Sequence, residues 1–194
     1  SAADDAEYMI FARAMAKCGG IRKCMRVRLD LEIPAASLAF LEQSAVVWFG
    51  DTEWPDNVWR AVSKANGNLV ERILWRHKHG ALLVGVGGGA ILLGAHGFAP
   101  TKPGHRPERK SWEGPAPVPT FAALGAFPGA AVGLATADSE SPKDTDWELK
   151  ALTAQLELES VCYALPREAG LLRRHDGSLE AVGREVATYE SSQW

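Results

Sequence analysis

Apolar side chains recur three or four residues apart in several parts of this chain, which is the spacing of a helix with one buried face. One such stretch contains Tyr8, Phe11 and Met15. It begins just after Asp5 and ends before Gly19, which predicts an N-terminal helix with an acidic start and a glycine stop. Each predicted helix needs a neighbouring surface to cover its apolar face. The same spacing predicts further helical segments at 37–43, near 58–62, at 68–79, at 90–93 and at 147–158.

Other patterns along the chain predict strands. Residues 23–31 alternate between polar and apolar side chains, which is typical of a strand with one buried face. Residues 44–50 and 81–84 are nearly continuous apolar runs, which favour strands buried on both faces. A further strand is predicted at 130–134, and 170–182 is typical of a hairpin with Asp-Gly in its turn. Because strands and helices alternate in the first half, we predict an α/β protein with a doubly wound, mostly parallel sheet and helices on both faces.

The composition is that of an ordinary globular protein, with 46% hydrophobic residues, 23% charged residues and a formal net charge of -3. That balance gives no reason to expect a nucleic acid as a partner. The longest apolar stretch, 80–97, is broken by glycines and holds His96, so we expect buried core there and no membrane span. The length suits one domain, 1–194, with a proline-rich surface loop at about 99–120.

The cysteines predict neither a disulfide framework nor a zinc site. There are three of them, Cys18, Cys24 and Cys162, and no two have the Cys-x-x-Cys spacing. We therefore expect a reducing compartment, with Cys162 as a core residue among apolar neighbours. The sequence begins at Ser1 without a targeting segment, so any such segment has been removed or was never present, and removal would be compatible with a mitochondrial or plastid protein.

A glycine-rich turn follows the predicted strand 81–84, and we call residues 85–90 the glycine turn. Its Gly-x-Gly-x-x-Ala pattern is a short form of the dinucleotide fingerprint, in which backbone amides at a helix start hold a pyrophosphate. The acidic residue that such a site needs about 20 residues later is missing, because that region is the proline-rich loop around Glu108. We therefore expect these glycines to allow the close packing of a helix. The binding of a nucleotide or anion at the turn is the weaker alternative.

The histidines do not form a metal-binding pattern. His77 and His79 lie two residues apart on a predicted helix and so point to different faces. His96 and His105 are expected in loops, where a single histidine gives no ligand set. We expect no metal and no cofactor.

Seven tryptophans are many for a chain of this length, and several of them fall outside the predicted helices and strands. We do not expect one small core to cover all of them, and interface centres favour this residue. Packing in the core remains an equal alternative for any one of them. The residues that we single out as candidates for contacts with other proteins are Trp54, Trp59, Trp112 and Trp194.

Several segments, taken in order, resemble the cyanophycinase and peptidase E family of serine peptidases, which shares its fold with class I glutamine amidotransferases. Residues 46–51 are similar to that family's strand and Gly-Gly-Asp-Gln loop, and 81–90 are similar to its nucleophile strand and Gly-Thr-Ser-Ala-Gly-Ala turn. The resemblance covers most of residues 5–190 and implies the same fold. The other segments that carry the resemblance are the helix 68–80, the strand 127–132 and the hairpin 171–182.

The resemblance fails at the positions that would carry catalysis. The nucleophilic serine of the family falls on Gly87 and its catalytic histidine falls on Ala135. The acidic residue two positions before that histidine falls on Gly133. The Asp-Gln pair of the family's substrate loop is altered, since Asp51 is followed by Thr52. The loss of nucleophile and base together implies a pseudoenzyme. The positions left as a candidate binding site are Gly85, Gly87, Gly88 and Gly89 of the turn and Asp51 of the facing loop.

The family also has about two strands before the helix that matches the start of this chain, so the first strands of its sheet are expected to be missing here. Our first hypothesis is an inactive peptidase-like domain that acts as a structural or interaction subunit of a larger assembly of protein chains, with an organelle as one candidate location. The second is a hydrolase of altered mechanism on small aspartyl peptides, using Asp51, Glu53 or His96 as acid or base. The third is a nucleotide or small-anion binder at the glycine turn.

Overall fold

A computed structural model describes residues 2–17, 23–98, 120–134, 153, 155, 161–166 and 168–190 of the chain. The proline-rich loop predicted at about 99–120 lies almost wholly outside this part, as does most of the helix predicted at 147–158. The helices are α1 (Ala2–Lys17), α2 (Ala35–Leu41), α3 (Pro55–Lys64), α4 (Leu69–Lys78) and α5 (Gly88–Ile91). The strands are β1 (Val46–Phe49), β2 (Leu82–Gly85), β3 (Gly94–Phe98), β4 (Thr120–Ala122), β5 (Phe127–Leu134), β6 (Val161–Leu165), β7 (Ala169–Arg173), β8 (Leu179–Gly183) and β9 (Ala187–Glu190).

The strands of the described part form three sheets. β1 and β2 pair in parallel, from Val46 opposite Leu82 to Phe49 opposite Gly85. A five-stranded sheet has the order β4-β3-β5-β6-β9, in which β3, β5 and β6 are parallel and the two outer strands are antiparallel. β7 and β8 form an antiparallel hairpin. The protein is therefore a mixed α/β protein, while the single doubly wound sheet stays a prediction.

Most of the elements predicted around the glycine turn are confirmed. The runs at 44–50 and 81–84 contain β1 and β2, the helix predicted at 68–79 is α4, and the hairpin predicted at 170–182 is β7 and β8. Three predictions about local structure are wrong. Leu82 of β2 is 48% exposed, so this strand is not buried on both faces. Residues 23–28 form no strand and 29–31 form a turn, where the Arg28 guanidinium bonds the carboxylate of Asp30 two residues later. His96 lies in β3, where we expected a loop.

The core lies where helices α3, α4 and α5 cover the strands. Ile91 and Leu92 are fully buried, and Cys162 is equally buried, as its sequence setting predicted. Burial of a side chain of this size stabilises the fold by roughly 1.5–3 kcal/mol. The connected cluster of buried side chains consists of Ile33, Val62, Leu69, Ile73, Leu83, Leu93, Leu124 and Ala126. No helix in the described part of the chain is both long and apolar enough to cross a membrane.

The side chain of Asn66 fastens the segment before α2 to the loop between α3 and α4. Its Oδ1 accepts from the amide of Ile33 at 2.8 Å, and its Nδ2 donates to the carbonyl of the same residue at 3.0 Å. Ile33 is only 2% exposed, so its backbone groups have little access to water as an alternative partner. This one amide therefore holds a buried residue that is distant in sequence.

We expect Asn66→Ala to lower the free energy of unfolding by about 1–2 kcal/mol, because both backbone groups of Ile33 lose their partner. Urea denaturation followed by circular dichroism measures the change. Asn57→Ala is the matched control, since Asn57 only accepts a hydrogen bond from exposed Arg60, and its effect should stay within about 0.5 kcal/mol. Equal effects of the two substitutions would contradict the role of Asn66.

Candidate functional site

The glycine turn and the loop after β1 meet because their two strands are parallel neighbours. Phe49 and Gly85 are opposite each other at the carboxyl ends of β1 and β2, so the segments that follow them leave the sheet at the same edge. The amide of Val86 donates to the carbonyl of Phe49 at 3.0 Å and extends the pairing by one residue. The candidate site lies at this edge.

The backbone of the glycine turn has the form of a sharp connection from strand to helix. Gly87 has φ 54° and ψ -132°, and α5 begins at the next residue. The amide of Gly89 donates to Val86 O and the amide of Ala90 donates to Gly87 O, both at 2.9 Å. A residue with a side chain would be strained by roughly 1–3 kcal/mol in such a conformation. Glycine at position 87 thus avoids this strain.

The neighbouring glycines are required by close contacts of the backbone. A Cβ on Gly85 would lie 2.5 Å from the carbonyl oxygen of Gly89. A Cβ on Gly89 would overlap the carbonyl oxygens of Phe49 and Gly50, and one on Gly88 would overlap that of Thr52. The turn therefore packs against the loop after β1 more closely than any side chain allows.

Asp51 places its carboxylate against the glycine turn. Oδ1 accepts from the amide of Gly88 at 2.7 Å and from the amide of Thr52 at 2.8 Å. The same carboxylate occupies the space that a Cβ on Gly87 would need, so the two cannot coexist without a shift. The turn and the facing loop are thus held together by a charge-assisted hydrogen bond, a class that is stronger than the neutral kind.

The space that a side chain at position 87 would occupy contains the carboxylate of Asp51 instead. Gly87 has no nucleophilic atom, and the amide of Gly88, which would face an anion formed at this position, already donates to Asp51. Electrostatic stabilisation of acyl transfer needs such an amide to be free when charge develops on the substrate. The glycine turn and Asp51, which the sequence analysis singled out as a candidate binding site, are therefore in contact with each other.

The other positions taken from the resemblance are only partly described. Gly133 lies in β5, opposite Ala164 of β6, and α5 packs against β5. Ala135 lies outside the described residues.

His77 and His79 each contact a nearby backbone carbonyl, since their Nδ1 atoms lie 3.0 Å from Ala81 O and 2.7 Å from Trp75 O, respectively.

The tryptophan candidates behave differently from one another. Trp54 is 42% exposed on the loop after β1. Trp59 packs against the core cluster, with its ring stacked on Phe121 at 6.5 Å between centroids. Trp112 and Trp194 lie outside the described residues. Of the two candidates that the structure describes, Trp54 is the more exposed.

One exposed residue at the site was missed by the sequence analysis. Val86, the second residue of the glycine turn, is 43% exposed although it is apolar. Its position between Gly85 and Gly87 was the available signal, because a large aliphatic residue in a tight turn has little room to fold inward. With Trp54, it gives the edge of the site two exposed apolar side chains.

The comparisons with known proteins support a peptidase-like fold. The crystal structure of a peptidase from an acI-B1 Actinobacterium is similar to this chain, with a TM-score of 0.56 at 16% sequence identity. The match covers 79% of this chain and 57% of the peptidase, so this chain spans little more than half the length of that protein. No protein-family model and no curated protein matches the sequence. The chain thus has a peptidase-like fold.

We expect Gly87→Ala to lower the free energy of unfolding by about 3 kcal/mol or more, because backbone strain and overlap with Asp51 act together. The matched control is Gly80→Ala, at a glycine with φ 95° and no atom within 4 Å of the added Cβ, which should cost only about 1–2 kcal/mol. Both are measured by urea denaturation.

The double variant Asp51→Gly/Gly87→Ala should recover about 1–3 kcal/mol relative to the sum of the single changes, since the overlap is gone. If the two substitutions prove additive, Asp51 does not occupy the space beside Gly87.

Proposed function

We propose that this chain is a catalytically inactive relative of the cyanophycinase and peptidase E family and serves as a structural or interaction subunit of a larger protein assembly. The observation that carries the proposal is the carboxylate of Asp51, which fills the side-chain space of position 87 and accepts the amide hydrogen of Gly88. A fold of this kind hosts acyl transfer only through side chains placed on it. Here the decisive position holds none.

The chemistry of the family's reaction supports this proposal. Nucleophilic catalysis at a strand-to-helix turn needs a hydroxyl or thiol at its apex and a base that activates it. Gly87 offers no such group, and the resemblance places Ala135 where the base would be. Without both groups, only binding and backbone donors remain, and they supply a small part of the usual acceleration.

A single doubly wound sheet is part of the same proposal. The parallel pairs β1–β2, β3–β5 and β5–β6 are compatible with it, as is the likeness to a solved peptidase. Strands of a parallel sheet are normally covered on both faces and paired at both edges. A partner chain that covers such an edge would make this domain a subunit.

The exposed apolar side chains at the site support a role in protein contacts. Trp54 and Val86 are 42% and 43% exposed on the two segments that meet at the glycine turn. Tryptophan is enriched at the centres of interfaces, where its large surface is removed from water. We therefore place the contact surface at the edge that would be the substrate entrance of an active relative.

A hydrolase of altered mechanism on small aspartyl peptides is the second candidate, and the same carboxylate favours it. A carboxylate can act as a nucleophile or as a general base, and Asp51 is exposed at the turn. The third candidate, an anion or nucleotide bound at the glycine turn, is disfavoured on electrostatic grounds, because Asp51 would repel the ligand and already holds the Gly88 amide.

We expect no labelling of the protein by a fluorophosphonate probe and no hydrolysis of aspartyl or β-aspartyl dipeptides, because the glycine turn has no nucleophile. Gel fluorescence and amine release measure the two reactions, with an active serine peptidase as positive control. Labelling that disappears after one substitution in this chain would overturn the proposal. Hydrolysis lost specifically in Asp51→Asn would establish the second candidate instead.

We expect Trp54→Ala to release the chain from its assembly, because a large side chain is removed from the centre of the proposed contact surface. Size-exclusion chromatography of native extracts, followed by immunodetection, should show a shift from a large complex to the monomer. Trp75→Ala is the matched control, since Trp75 is 49% exposed on α4 and stacks on His79. A wild-type chain that already elutes as a monomer would contradict the subunit role.

A further inference from the structure

A groove lies along the carboxyl-terminal half of α3, away from the glycine turn. Its volume is about 460 Å³, within the range of small-molecule sites. Because α3 begins beside the loop that carries Asp51, its last residue lies about 15 Å from that end. We call this cavity the α3 groove. The lining residues on which its binding properties depend are Leu29, Asp30, Leu31 and Glu32 on one side and Arg60 and Lys64 on the other.

The two walls of the α3 groove are fixed relative to each other. One wall is a helix, and the other is the turn that precedes Ile33. The two hydrogen bonds from Asn66 to the backbone of Ile33 connect the end of that turn to the end of α3. The groove is thus built into the fold, and a ligand would not have to order its walls.

The walls carry opposite charges. Arg60 and Lys64 are four residues apart on one face of α3, while the facing turn carries Asp30 and Glu32. The Arg28 guanidinium hydrogen-bonds Asp30 and holds the pKa of that carboxyl below its usual value, so Asp30 stays ionised. The groove therefore has a cationic wall and an anionic wall at neutral pH.

Two of these charges are left for a ligand. Asp30 is engaged by Arg28, and Arg60 is engaged by Asp56 at 3.8 Å and by Asn57 at 3.2 Å on its own helix. Among the described residues, no ion pair holds Lys64 or Glu32. A ligand with a carboxylate and an ammonium group would supply the partner that each of them lacks.

The α3 groove also has apolar lining residues. Ala61 of α3 and Ala65, which follows that helix, lie on one side, and Leu29 and Leu31 come from the turn. Leu31 is 59% exposed, so a covering apolar group would remove much of its surface from water. The opposed charges disfavour a nucleotide, whose phosphates would be repelled by Asp30 and Glu32, and a fatty acid, which has no cation for Glu32.

We propose that the α3 groove binds a short free peptide with apolar side chains as its zwitterion. Its carboxylate faces Lys64 and its ammonium group faces Glu32, while its side chains cover Leu31, Ala61 and Ala65. This site does not depend on the function proposed for the glycine turn, because it shares no residue with it.

Titration of the isotope-labelled protein with leucyl-leucine, followed by NMR chemical shifts, tests the proposal. We expect saturable shifts of amides in 29–32 and 60–66 at millimolar peptide, since exposed charges contribute modestly to affinity. The N-acetylated, C-amidated peptide keeps the side chains and lacks both charges, so it should bind at least several-fold more weakly. Absence of saturation, or equal binding of the two peptides, would overturn the proposal.

Variants of the two charged residues locate the site. Lys64→Met and Glu32→Gln should each weaken the binding of leucyl-leucine about two- to fivefold. Lys78→Met and Glu71→Gln change the same residue types on α4 and should leave the affinity unchanged. Thermal melts verify that all four variants are folded. Unchanged affinity in both groove variants, or equal losses in the α4 controls, would place the peptide elsewhere and refute the α3 groove.

Discussion

The close contact between the loop after β1 and the glycine turn after β2 is the constraint on which the rest of the structure depends. Parallel pairing brings the two segments to one edge, and Gly88 and Gly89 let them approach to a distance at which no Cβ fits. The turn then leads directly into α5, whose Ile91 is completely buried. Since α5 packs against β2, β3 and β5, this contact connects the two-stranded sheet with the five-stranded one.

The same contact determines what the site can do. A peptidase-like fold supplies the strained turn, but the reactivity of such a turn comes from the atom at its apex and from amides that are free to receive charge. In this chain the carboxylate of Asp51 lies where a side chain at the apex would be, and it accepts the hydrogen of the Gly88 amide. The hydrogen bond between this carboxylate and the glycine turn is part of the folded structure, and it contributes to stability.

Sequence patterns predicted the elements around the site well and the outer sheet poorly. The apolar runs of β1 and β2 and the glycines between β2 and α5 are local signals, so they placed the turn and its facing loop correctly. β3, β4 and β9 are about as short as β1 and β2 but lack their continuous apolar runs, and an added Cβ on Gly97 of β3 would overlap the ring of Phe121. Pairing between residues far apart decides such strands. The contact of Asp51 with Gly88 joins positions 37 residues apart, and no local pattern encodes it.

The position of Asp51 also links two positions of the sequence in the substitutions that they tolerate. A side chain at position 87 meets the carboxylate of Asp51 and a backbone conformation that favours glycine. Removal of the carboxylate opens that space at the cost of its hydrogen bond to Gly88. A change at position 87 is therefore tolerated better after a change at position 51, and the two positions are expected to vary together.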